Sequence, residues 1–326
     1  MAERPLVSVV TPVFNTAAHL RECIDSVLAQ TWPRLEYVVV DNHSTDGSRQ
    51  IAEEAAARTG RVRVVRTPAH LPQLDNYNHA LRQVARESAY VKLVAADDWL
   101  YPECVERMVA VAAAHPSVGL VGALALWGAQ VKGAGLPYDA AIVPGRELAR
   151  RQLLAREFYV GSPTTVLYRA DLVRARAAFF DPRALHADTE VAYQLLREHD
   201  FGFVHQVLAY VREDLASISG RVSDLDPDDL DYLITLLRYG PDFLTPVELA
   251  DRRHAHERLY CERYVRQVLS RRRARFLAYH RPALAALGYR FPRALVARVA
   301  AAEAAEIALN PKRTLGRLIG GWRYPD

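Results

Sequence analysis

Two adjacent carboxylates, Asp97 and Asp98, directly follow an apolar run from Leu93 to Ala96. Like charges repel each other at neutral pH, and an apolar surrounding penalises each charge further, so such a pair favours a cation-binding site. Carboxylate oxygens at the end of a strand suit hard divalent ions such as Mg²⁺ and Mn²⁺. The pair therefore predicts a divalent metal site, and an ordinary surface turn is the alternative.

A divalent metal at this place could bind the phosphates of a ligand. The first polar loop, TPVFNTAAH at residues 11–19, contains no glycine, so neither a GxGxxG fingerprint nor a GxxxxGK[ST] loop is present there. Without glycines, backbone amides cannot easily close around a pyrophosphate. We therefore expect a metal held by carboxylates to neutralise the phosphates.

Alternating strands and helices position these residues in the first hundred positions. Continuous apolar runs predict strands, and residues spaced three and four apart predict helices. The predicted strands are 6–10, 35–40, 62–65 and 90–96, and the predicted helices are 18–30, 48–58 and 76–85. This alternation predicts a parallel sheet with helices on both faces. Ligands bind beyond the carboxyl ends of such strands, so the loops TPVFN, DNHSTD and DDW should share one crevice.

Composition narrows the class of protein. The 326 residues are 50% hydrophobic, which is enough for a large core. Three widely spaced cysteines, Cys23, Cys104 and Cys261, favour a reducing compartment over a disulfide framework. The N-terminus does not resemble a signal peptide, and residues 108–131 indicate a helix, a turn and a strand rather than a membrane span. We therefore expect a cytoplasmic protein.

The charge is distributed unevenly. Residues 251–326 carry 17 Lys and Arg against 6 Asp and Glu, a net of +11, which leaves −7 of the total +4 for residues 1–250. The triplet Arg271-Arg272-Arg273 is predicted to lie inside a helix. Two interpretations remain open for this basic region: a solvated helix surface, or peripheral contact with an anionic membrane. Nucleic-acid binding is not expected, because no interleaved aromatic residues accompany the arginines.

Three blocks, VSVVTPVFN, YVVVDNHSTDGS and YVKLVAADDWLYPE, in this order and spacing resemble the nucleotide-binding half of family 2 glycosyltransferases of the GT-A fold. The resemblance covers about residues 5–220. It implies a Rossmann-like, mostly parallel sheet flanked by helices, a nucleotide-sugar donor, a divalent metal (Mn²⁺ or Mg²⁺) and inverting chemistry. The expected domains are a catalytic domain over 1–220, with a nucleotide-binding half of about 1–100 and an acceptor half of about 101–220, and a basic helical region over 221–326.

The resemblance also implies donor-binding residues. Thr11, Pro12, Phe14 and Asn15 match the segment that packs on the nucleoside, and Asp41 matches the acid that reads the base. A carboxylate accepts the imide hydrogen of uracil or thymine, whereas cytosine has no such donor at that ring position. UDP or dTDP sugars are therefore the favoured donors.

The metal ligands follow from the same match. In the family the first acid, here Asp97, commonly approaches the ribose, and the second, here Asp98, coordinates the metal. Asp214 matches the place of a histidine near the metal, and Arg212 is the alternative there as a contact for the diphosphate. Either residue would otherwise form a surface ion pair.

Two further segments border the expected site. Asn76 and Asn78 match a donor-site segment, with helix capping as the alternative. Inversion needs a base that takes the proton of the acceptor hydroxyl. The stretch LHADTEVAYQLL resembles the family's acid motif at a helix start and makes Asp188 the candidate base, although the preceding residue is commonly Glu and is here Ala187. In the alternative, Asp188 caps the helix and Glu190 favours its dipole.

The sequence therefore predicts an inverting transferase that moves a sugar from a nucleoside diphosphate to a carbohydrate or lipid-linked hydroxyl acceptor, in cell-surface polysaccharide or glycolipid synthesis. A nucleotidyltransferase acting on sugar phosphates is one alternative, but it would be expected to carry a glycine-rich basic loop after the first strand. The other is a binding module with a decayed active site. That alternative draws on Asn42, His43 and Ala187, which depart from the family's pattern.

Overall fold

The computed structural model of the chain describes residues 4–213, 222–270 and 272–309. The chain divides into two compact units, Met1–Asp214 and Leu215–Asp326. The predicted boundary between residues 220 and 221 falls among residues 214–221, which lie outside the described part of the chain. The domain limits therefore stay a prediction.

The first half of the first unit alternates strands and helices as predicted. Its elements are β1 (Val7–Val13), α1 (Ala17–Leu28), β2 (Leu35–Asp41), α2 (Ser48–Thr59), β3 (Val62–Arg66), α3 (Gln73–Leu81) and β4 (Tyr90–Leu93). The four strands lie side by side in the order β3-β2-β1-β4, and every neighbouring pair is parallel. All seven residues of β1 are buried, as expected for a central strand covered on both faces.

Helix α1 shows why the periodicity was informative. Its buried residues are Leu20, Cys23, Ile24 and Val27, which share one helical face and belong to the main core cluster. Full burial of an aliphatic side chain of this size stabilises the fold by about 1.5–3 kcal/mol.

The strand register brings the polar loops together. Val13 of β1 pairs with Asp41 of β2, and Val10 of β1 pairs with Leu93 of β4. The carboxyl ends of these strands therefore meet at one edge of the sheet. The predicted fourth strand was too long, because β4 ends at Leu93 and not at Ala96. The chain turns immediately afterwards, with the Asp98 amide donating to the Ala95 carbonyl at 3.1 Å, so the acid pair lies in a turn beyond the strand.

The second half of this unit adds strands in both directions. Its elements are β5 (Trp99–Leu100), α4 (Cys104–Ala114), β6 (Val118–Trp127), β7 (Gln130–Lys132), β8 (Ile142–Val143), α5 (Gly145–Ala155), β9 (Val166–Arg169), α6 (Ala170–Arg174), α7 (Ala187–Leu196) and β10 (Asp200–Val211). The main order is β3-β2-β1-β4-β9-β6-β10-β5, where β9 is antiparallel to both β4 and β6, and β10 is parallel to β6. The short strands β7 and β8 pair with β6 and β10, respectively. Because β5 pairs with the end of β10, that end lies beside the acid turn.

The second unit is helical, as predicted for the C-terminal region. Its helices are α8 (Pro227–Phe243), α9 (Pro246–Val268), α10 (Arg273–Ala286) and α11 (Arg293–Leu309). The prediction that the arginine triplet lies inside a helix was wrong. Helix α9 ends at Val268 and α10 begins at Arg273, so Arg272 lies between them, and Arg271 is outside the described residues.

Some arginines of the second unit form ion pairs with aspartates of the same unit. Arg263 contacts the fully buried Asp229 at 2.7 Å, and Arg275 contacts Asp224 at 2.9 Å. Among the described residues, no helix is long and apolar enough to cross a membrane. Peripheral membrane contact through the basic region stays a prediction.

Candidate functional site

Asp98 joins three segments at the carboxyl edge of the sheet. Its side chain is only 4% exposed. The Thr164 hydroxyl donates to Oδ2 at 2.6 Å, and the Arg212 backbone amide donates to Oδ1 at 2.9 Å. Thr164 lies in a short 3₁₀ turn before β9, and Arg212 follows β10 directly. Asp98 thus fixes the turn after β4 against both neighbouring segments.

Burial works against the charge of this carboxyl group. Desolvation and the neighbouring charge of Asp97 raise the pKa of Asp98 to about 7, although the hydrogen bonds from Thr164 and Arg212 favour the ionised form. A divalent cation beside the pair would oppose both effects that raise this pKa.

Asp97 differs from Asp98 in its contacts. Within the described part of the chain its carboxyl group forms no hydrogen bond or ion pair, and only its backbone carbonyl is engaged, accepting from Arg212 Nε at 3.0 Å. Both carboxylate oxygens of Asp97 therefore remain available to a ligand, whereas each oxygen of Asp98 already accepts a hydrogen bond. Each Asp98 oxygen keeps a second lone pair, so both acids can coordinate a cation, and the roles expected of Asp97 and Asp98 from sequence stay a prediction.

The two carboxylates fit a divalent ion that is shared with a bound phosphate. Among the described residues, no group of three or more His, Cys, Asp or Glu side chains is placed to hold a metal by itself. Mg²⁺ is commonly held by one or two carboxylates, with substrate phosphates and water completing its coordination, and Mn²⁺ accepts the same oxygen ligands. Asp214, the predicted third ligand, lies outside the described residues.

Arg212 brings a cation to the acid turn. Its Nη2 atom donates to Glu22 Oε2 at 2.7 Å, and its guanidinium group lies 5.5 Å from the ring centroid of Tyr210. Glu22 belongs to α1, so the contact ties the end of β10 to that helix. A guanidinium group beside two carboxylates is well placed to balance the charge of a diphosphate.

Asp41 has a buried oxygen that lacks a hydrogen bond. The residue is 1% exposed, its Oδ1 accepts from the Ser44 amide at 3.1 Å, and its Oδ2 has no hydrogen-bond partner. Arg66 Nε lies 3.6 Å from Oδ2, which is an ion pair rather than a hydrogen bond. Because a buried oxygen is costly to leave without a hydrogen bond, a ligand donor at this place would stabilise the site.

The loop after β1 offers one exposed aromatic ring. Phe14 is 45% exposed, and its ring centroid lies 4.5 Å from that of His70. Asn15 joins the loops after β1 and β2, since its Oδ1 accepts from the Thr45 amide at 2.8 Å. Thr11 and Pro12 are buried within β1, and the Thr11 hydroxyl lies 3.0 Å from the Tyr37 hydroxyl in the core. Of these four residues, Phe14 therefore presents the side-chain surface best suited to a nucleoside.

Asn42 and His43, the two residues of the loop after β2 that depart from the family's pattern, have structural roles. His43 adopts a left-handed backbone with φ of 63°, the conformation that favours glycine, and its Nε2 lies 2.9 Å from the Thr67 carbonyl. The Asn42 side chain both donates to and accepts from the Leu71 backbone, each at 2.8 Å. Both side chains therefore hold the loop in a defined conformation.

The asparagines of α3 do not cap it, since Pro72 occupies the N-cap position and no side chain caps the helix. Asn78 donates to the Phe180 carbonyl at 2.7 Å and accepts from the Phe180 amide at 2.9 Å. It thereby fastens the segment that leads to α7. Asn76 Oδ1 is buried without a hydrogen-bond partner, so Asn76 is the one with an oxygen to offer a ligand.

Asp188 lies inside the first turn of α7, whose N-cap residue is His186, without a side-chain cap. Burial raises the pKa of Asp188, while the Thr189 amide, which donates to Oδ1 at 2.9 Å, and the nearby His186 act in the opposite direction. A carboxylate with a raised pKa is a better proton acceptor, as the predicted base requires.

Tyr77 lies on α3 between Asn76 and Asn78, and its hydroxyl accepts from Gln73 Nε2 at 3.2 Å. Burial raises the pKa of Tyr77, and the charges of Asp97, Asp98 and Asp188 each raise it further. Neither Tyr77 nor Thr164 was among the predicted site residues, because a tyrosine in a helix and a threonine in a turn carry no recognisable motif alone.

Comparison with known proteins identifies the family. Residues 8–176 match the family described as Glycosyl transferase family 2. The chain belongs to this family. Its membership confirms the family expected from the three sequence blocks.

Two curated relatives of this family 2 chain are proteins of Bacillus subtilis (strain 168). It is 25% identical over 230 residues to the "Putative glycosyltransferase EpsH", covering 67% of this chain and 64% of EpsH. It is 34% identical over 106 residues to the "Putative teichuronic acid biosynthesis glycosyltransferase TuaG", covering 32% of this chain and 41% of TuaG. The match thus spans less than two thirds of either relative.

Solved structures of two other proteins share the fold. A mannosyltransferase, PcManGT from Pyrobaculum calidifontis, in complex with GDP-Man and Mn²⁺, has a TM-score of 0.56 at 18% identity, covering 97% of this chain and 84% of that one. TarS 1-349 from S. aureus, in complex with UDP-GlcNAc, has a TM-score of 0.54 at 20% identity, covering 82% and 74%. These likenesses confirm the predicted GT-A type of α/β fold.

The raised pKa of Asp98 predicts a stabilising substitution. A carboxyl group whose pKa is raised on folding destabilises the folded state progressively as pH rises from its ordinary pKa of 3.8 to about 7, and by a constant amount above that. Asp98→Asn should therefore raise the free energy of unfolding at pH 8 by about 1–3 kcal/mol, which is less than the shift alone implies because the amide nitrogen of asparagine cannot accept one of the two hydrogen bonds. The gain should shrink towards pH 4.

Urea denaturation at pH 8 and pH 4 measures this difference, with Asp97→Asn as the matched control. That variant removes the neighbouring charge and should stabilise the protein by a smaller amount. An Asp98→Asn protein that is less stable than wild type at pH 8 would contradict the view that the charge of Asp98 destabilises the folded state.

Asn78 should contribute more to stability than Asn76, although both are buried on α3. Asn78→Ala leaves the Phe180 amide and carbonyl without their partner, which should lower the free energy of unfolding by about 2–4 kcal/mol. Asn76→Ala removes an oxygen that has no partner, so its cost should be at least about 1 kcal/mol smaller. If urea denaturation shows equal losses of unfolding free energy for the two variants, the hydrogen bonds between Asn78 and Phe180 do not have the proposed stabilising role.

Proposed function

We propose that this chain is an inverting glycosyltransferase that moves a sugar from a nucleoside diphosphate to a hydroxyl acceptor. The observation that carries the proposal is the carboxyl edge of the parallel strands, where Asp41 ends β2 and Asp98 is held in the turn after β4 by hydrogen bonds from Thr164 and Arg212. This arrangement supports an acidic donor site, and Asp188 in the first turn of α7 is proposed to supply the general base for the acceptor.

The nucleobase of the donor is proposed to be one that carries a ring N–H group. Asp41 Oδ2 is a buried acceptor without a hydrogen bond, and the imide hydrogen of uracil or thymine would supply one. Guanine also carries a ring N–H, whereas cytosine does not. UDP and dTDP sugars remain the favoured donors, with GDP sugars next. The neighbours TarS and PcManGT are found with UDP-GlcNAc and GDP-Man, respectively.

The diphosphate is proposed to lie over the acid turn. Asp97 and Asp98 would hold Mn²⁺ or Mg²⁺, and Arg212 lies beside them. When bound, the metal neutralises the charge of the diphosphate and so makes it a better leaving group. Phe14 would support the nucleoside by stacking, and Asn76 Oδ1 offers a buried acceptor.

Asp188 is proposed to be the general base. As the acceptor oxygen bonds to the anomeric carbon, its proton passes to the Asp188 carboxylate, and the bond to the nucleoside diphosphate breaks on the opposite face. One displacement of this kind inverts the anomeric configuration. The burial that raises the pKa of Asp188 strengthens it as a proton acceptor.

The acceptor is proposed to be a carbohydrate or a lipid-linked sugar in cell-surface polysaccharide or glycolipid synthesis. The similarity to TuaG, a putative teichuronic acid biosynthesis glycosyltransferase, supports a role in polysaccharide synthesis. We propose a cytoplasmic site of action, with the basic helical region meeting an anionic membrane. Membership of family 2 disfavours the nucleotidyltransferase alternative, and turnover separates the proposal from a decayed binding module.

A nucleotide screen tests the donor site. With Mn²⁺ present and every nucleotide at one concentration, about a hundredfold above the Kd for UDP, UDP should raise the melting temperature by about 4 °C or more, dTDP and GDP should also raise it, and CDP should raise it least. A matching UDP sugar should then be turned over, with UDP release that is lost in Asp97→Asn. The ¹H NMR coupling of the product should report an inverted anomeric centre. Binding without turnover of any tested donor would favour the module, and a retained configuration would refute inversion.

Replacement of the candidate base should affect catalysis and not donor binding. Asp188→Asn keeps the shape of the side chain but cannot accept the proton, so kcat should fall by about 10²–10⁴-fold. The Kd for UDP with Mn²⁺, measured by calorimetry, should change less than about threefold. Glu190→Gln, in the same helical turn, is the matched control and should lower kcat only slightly. A larger loss in Glu190→Gln than in Asp188→Asn would reassign the base.

A further inference from the structure

Lys92 is a fully buried lysine in the middle of β4, with 0% exposure. Lysine is almost never fully buried unless it is paired with a carboxylate. Here the acceptors of its ammonium group are uncharged: the Thr164 carbonyl at 2.7 Å, the Val166 carbonyl at 3.4 Å and the Met108 sulfur at 3.6 Å. Stability alone does not account for this choice, since a methionine of similar length would fill the space without desolvating a charge.

The ammonium group joins two antiparallel strands at the point where the second begins. Lys92 pairs in register with Leu167 of β9, and the two carbonyls that it holds lie at the entrance to that strand. Since the side chain is fully buried, it does not reach the crevice. Any effect of Lys92 on a ligand must therefore pass through the residues that it holds.

Thr164 is the residue through which this effect passes. Its carbonyl accepts from Lys92, while its hydroxyl donates to Asp98 Oδ2 at 2.6 Å and accepts from the Ala95 amide at 3.1 Å. The backbone of Thr164 is thus held by the Lys92 ammonium group, while its side chain holds the acid turn. A shift of the Thr164 peptide would carry its hydroxyl away from Asp98.

We propose that Lys92 is a positioning residue for the acid pair: its ammonium group fixes the Thr164 backbone so that the Thr164 hydroxyl keeps Asp98 in place beside Asp97. The part of the proposal that concerns metal binding rests on the proposed function. The part that concerns the geometry of the acid turn does not, and the two are measured separately.

The test compares Lys92→Met, Thr164→Val and the double variant with wild type in the full chain. Leu93→Ala is the matched control, because Leu93 is buried on the same strand and its side chain points to the opposite face. The first readout is Mn²⁺ binding in the presence of UDP, measured by electron paramagnetic resonance. The second is hydrogen–deuterium exchange of peptides covering residues 93–99 and 161–166, which requires neither metal nor donor.

Lys92→Met and Thr164→Val should each weaken Mn²⁺ binding about tenfold, the effect of one lost hydrogen bond, and speed exchange in both peptides. The double variant should be little worse than either single variant, because both act on the same contact. Thr164→Ser, which keeps the hydroxyl, should recover most of the lost affinity. Leu93→Ala should lower the melting temperature but leave the Mn²⁺ affinity within about twofold, because it leaves the hydrogen bonds to Asp98 intact.

Wild-type Mn²⁺ affinity in Lys92→Met, or fully additive losses in the double variant, would overturn the proposal. If Lys92→Met does not fold, Lys92→Gln, which keeps a neutral donor, replaces it and should show a smaller loss of the same kind. If the wild-type chain binds neither Mn²⁺ nor UDP, the proposed function fails, and the exchange data alone decide the positioning role. Unchanged exchange at residues 93–99 in Lys92→Met then overturns it.

Discussion

A buried carboxylate that accepts hydrogen bonds from two distant segments is the constraint on which the site depends. Asp98 is held by a hydroxyl group 66 residues later in the chain and by a backbone amide 114 residues later. These contacts bring the turn after β4, the entrance to β9 and the exit from β10 to one point. The Arg212 side chain, which donates to the Asp97 carbonyl, and the pairing of β5 with β10 hold the same turn, so the acid turn is fixed from both neighbouring segments.

The cost of this arrangement suggests a division of roles between the two acids. Asp98 is rigid, and burial beside a second carboxylate raises its pKa to about 7. Asp97 forms no side-chain hydrogen bond in the described part of the chain, so its oxygens face no competing donor there. One acid thus provides the fixed frame and the other the available oxygens. Active sites commonly retain such locally unfavourable charges, because ligand binding offsets them.

Helix α3 is fastened to the segment that leads to the candidate base. Asn78 holds the backbone of Phe180 through one donated and one accepted hydrogen bond. Asn76, on the same helix, has a buried oxygen without a hydrogen-bond partner. This arrangement gives α3 a structural role beyond the donor binding that the motif implied.

The sequence alone determined the alternating half of the fold and the main acidic residues. Apolar runs such as residues 35–40 and the spacing of Leu20, Cys23, Ile24 and Val27 are local patterns, because strand and helix geometry repeats every two or 3.6 residues. Asp41, Asp97 and Asp98 could be proposed because they follow such runs directly. The family was recognisable from three blocks for the same reason.

Only the tertiary structure decided how these acids are held. Thr164 and Arg212 reach the acid turn, and Lys92 reaches Thr164, through pairings between strands distant in sequence, and no local pattern reports which strand lies beside which. The early end of β4 and the break between α9 and α10 are likewise set by backbone hydrogen bonding that residue type does not reveal. Residue types thus indicated which side chains to propose for the site, whereas the geometry that holds them depends on contacts that form only when the sheet is assembled.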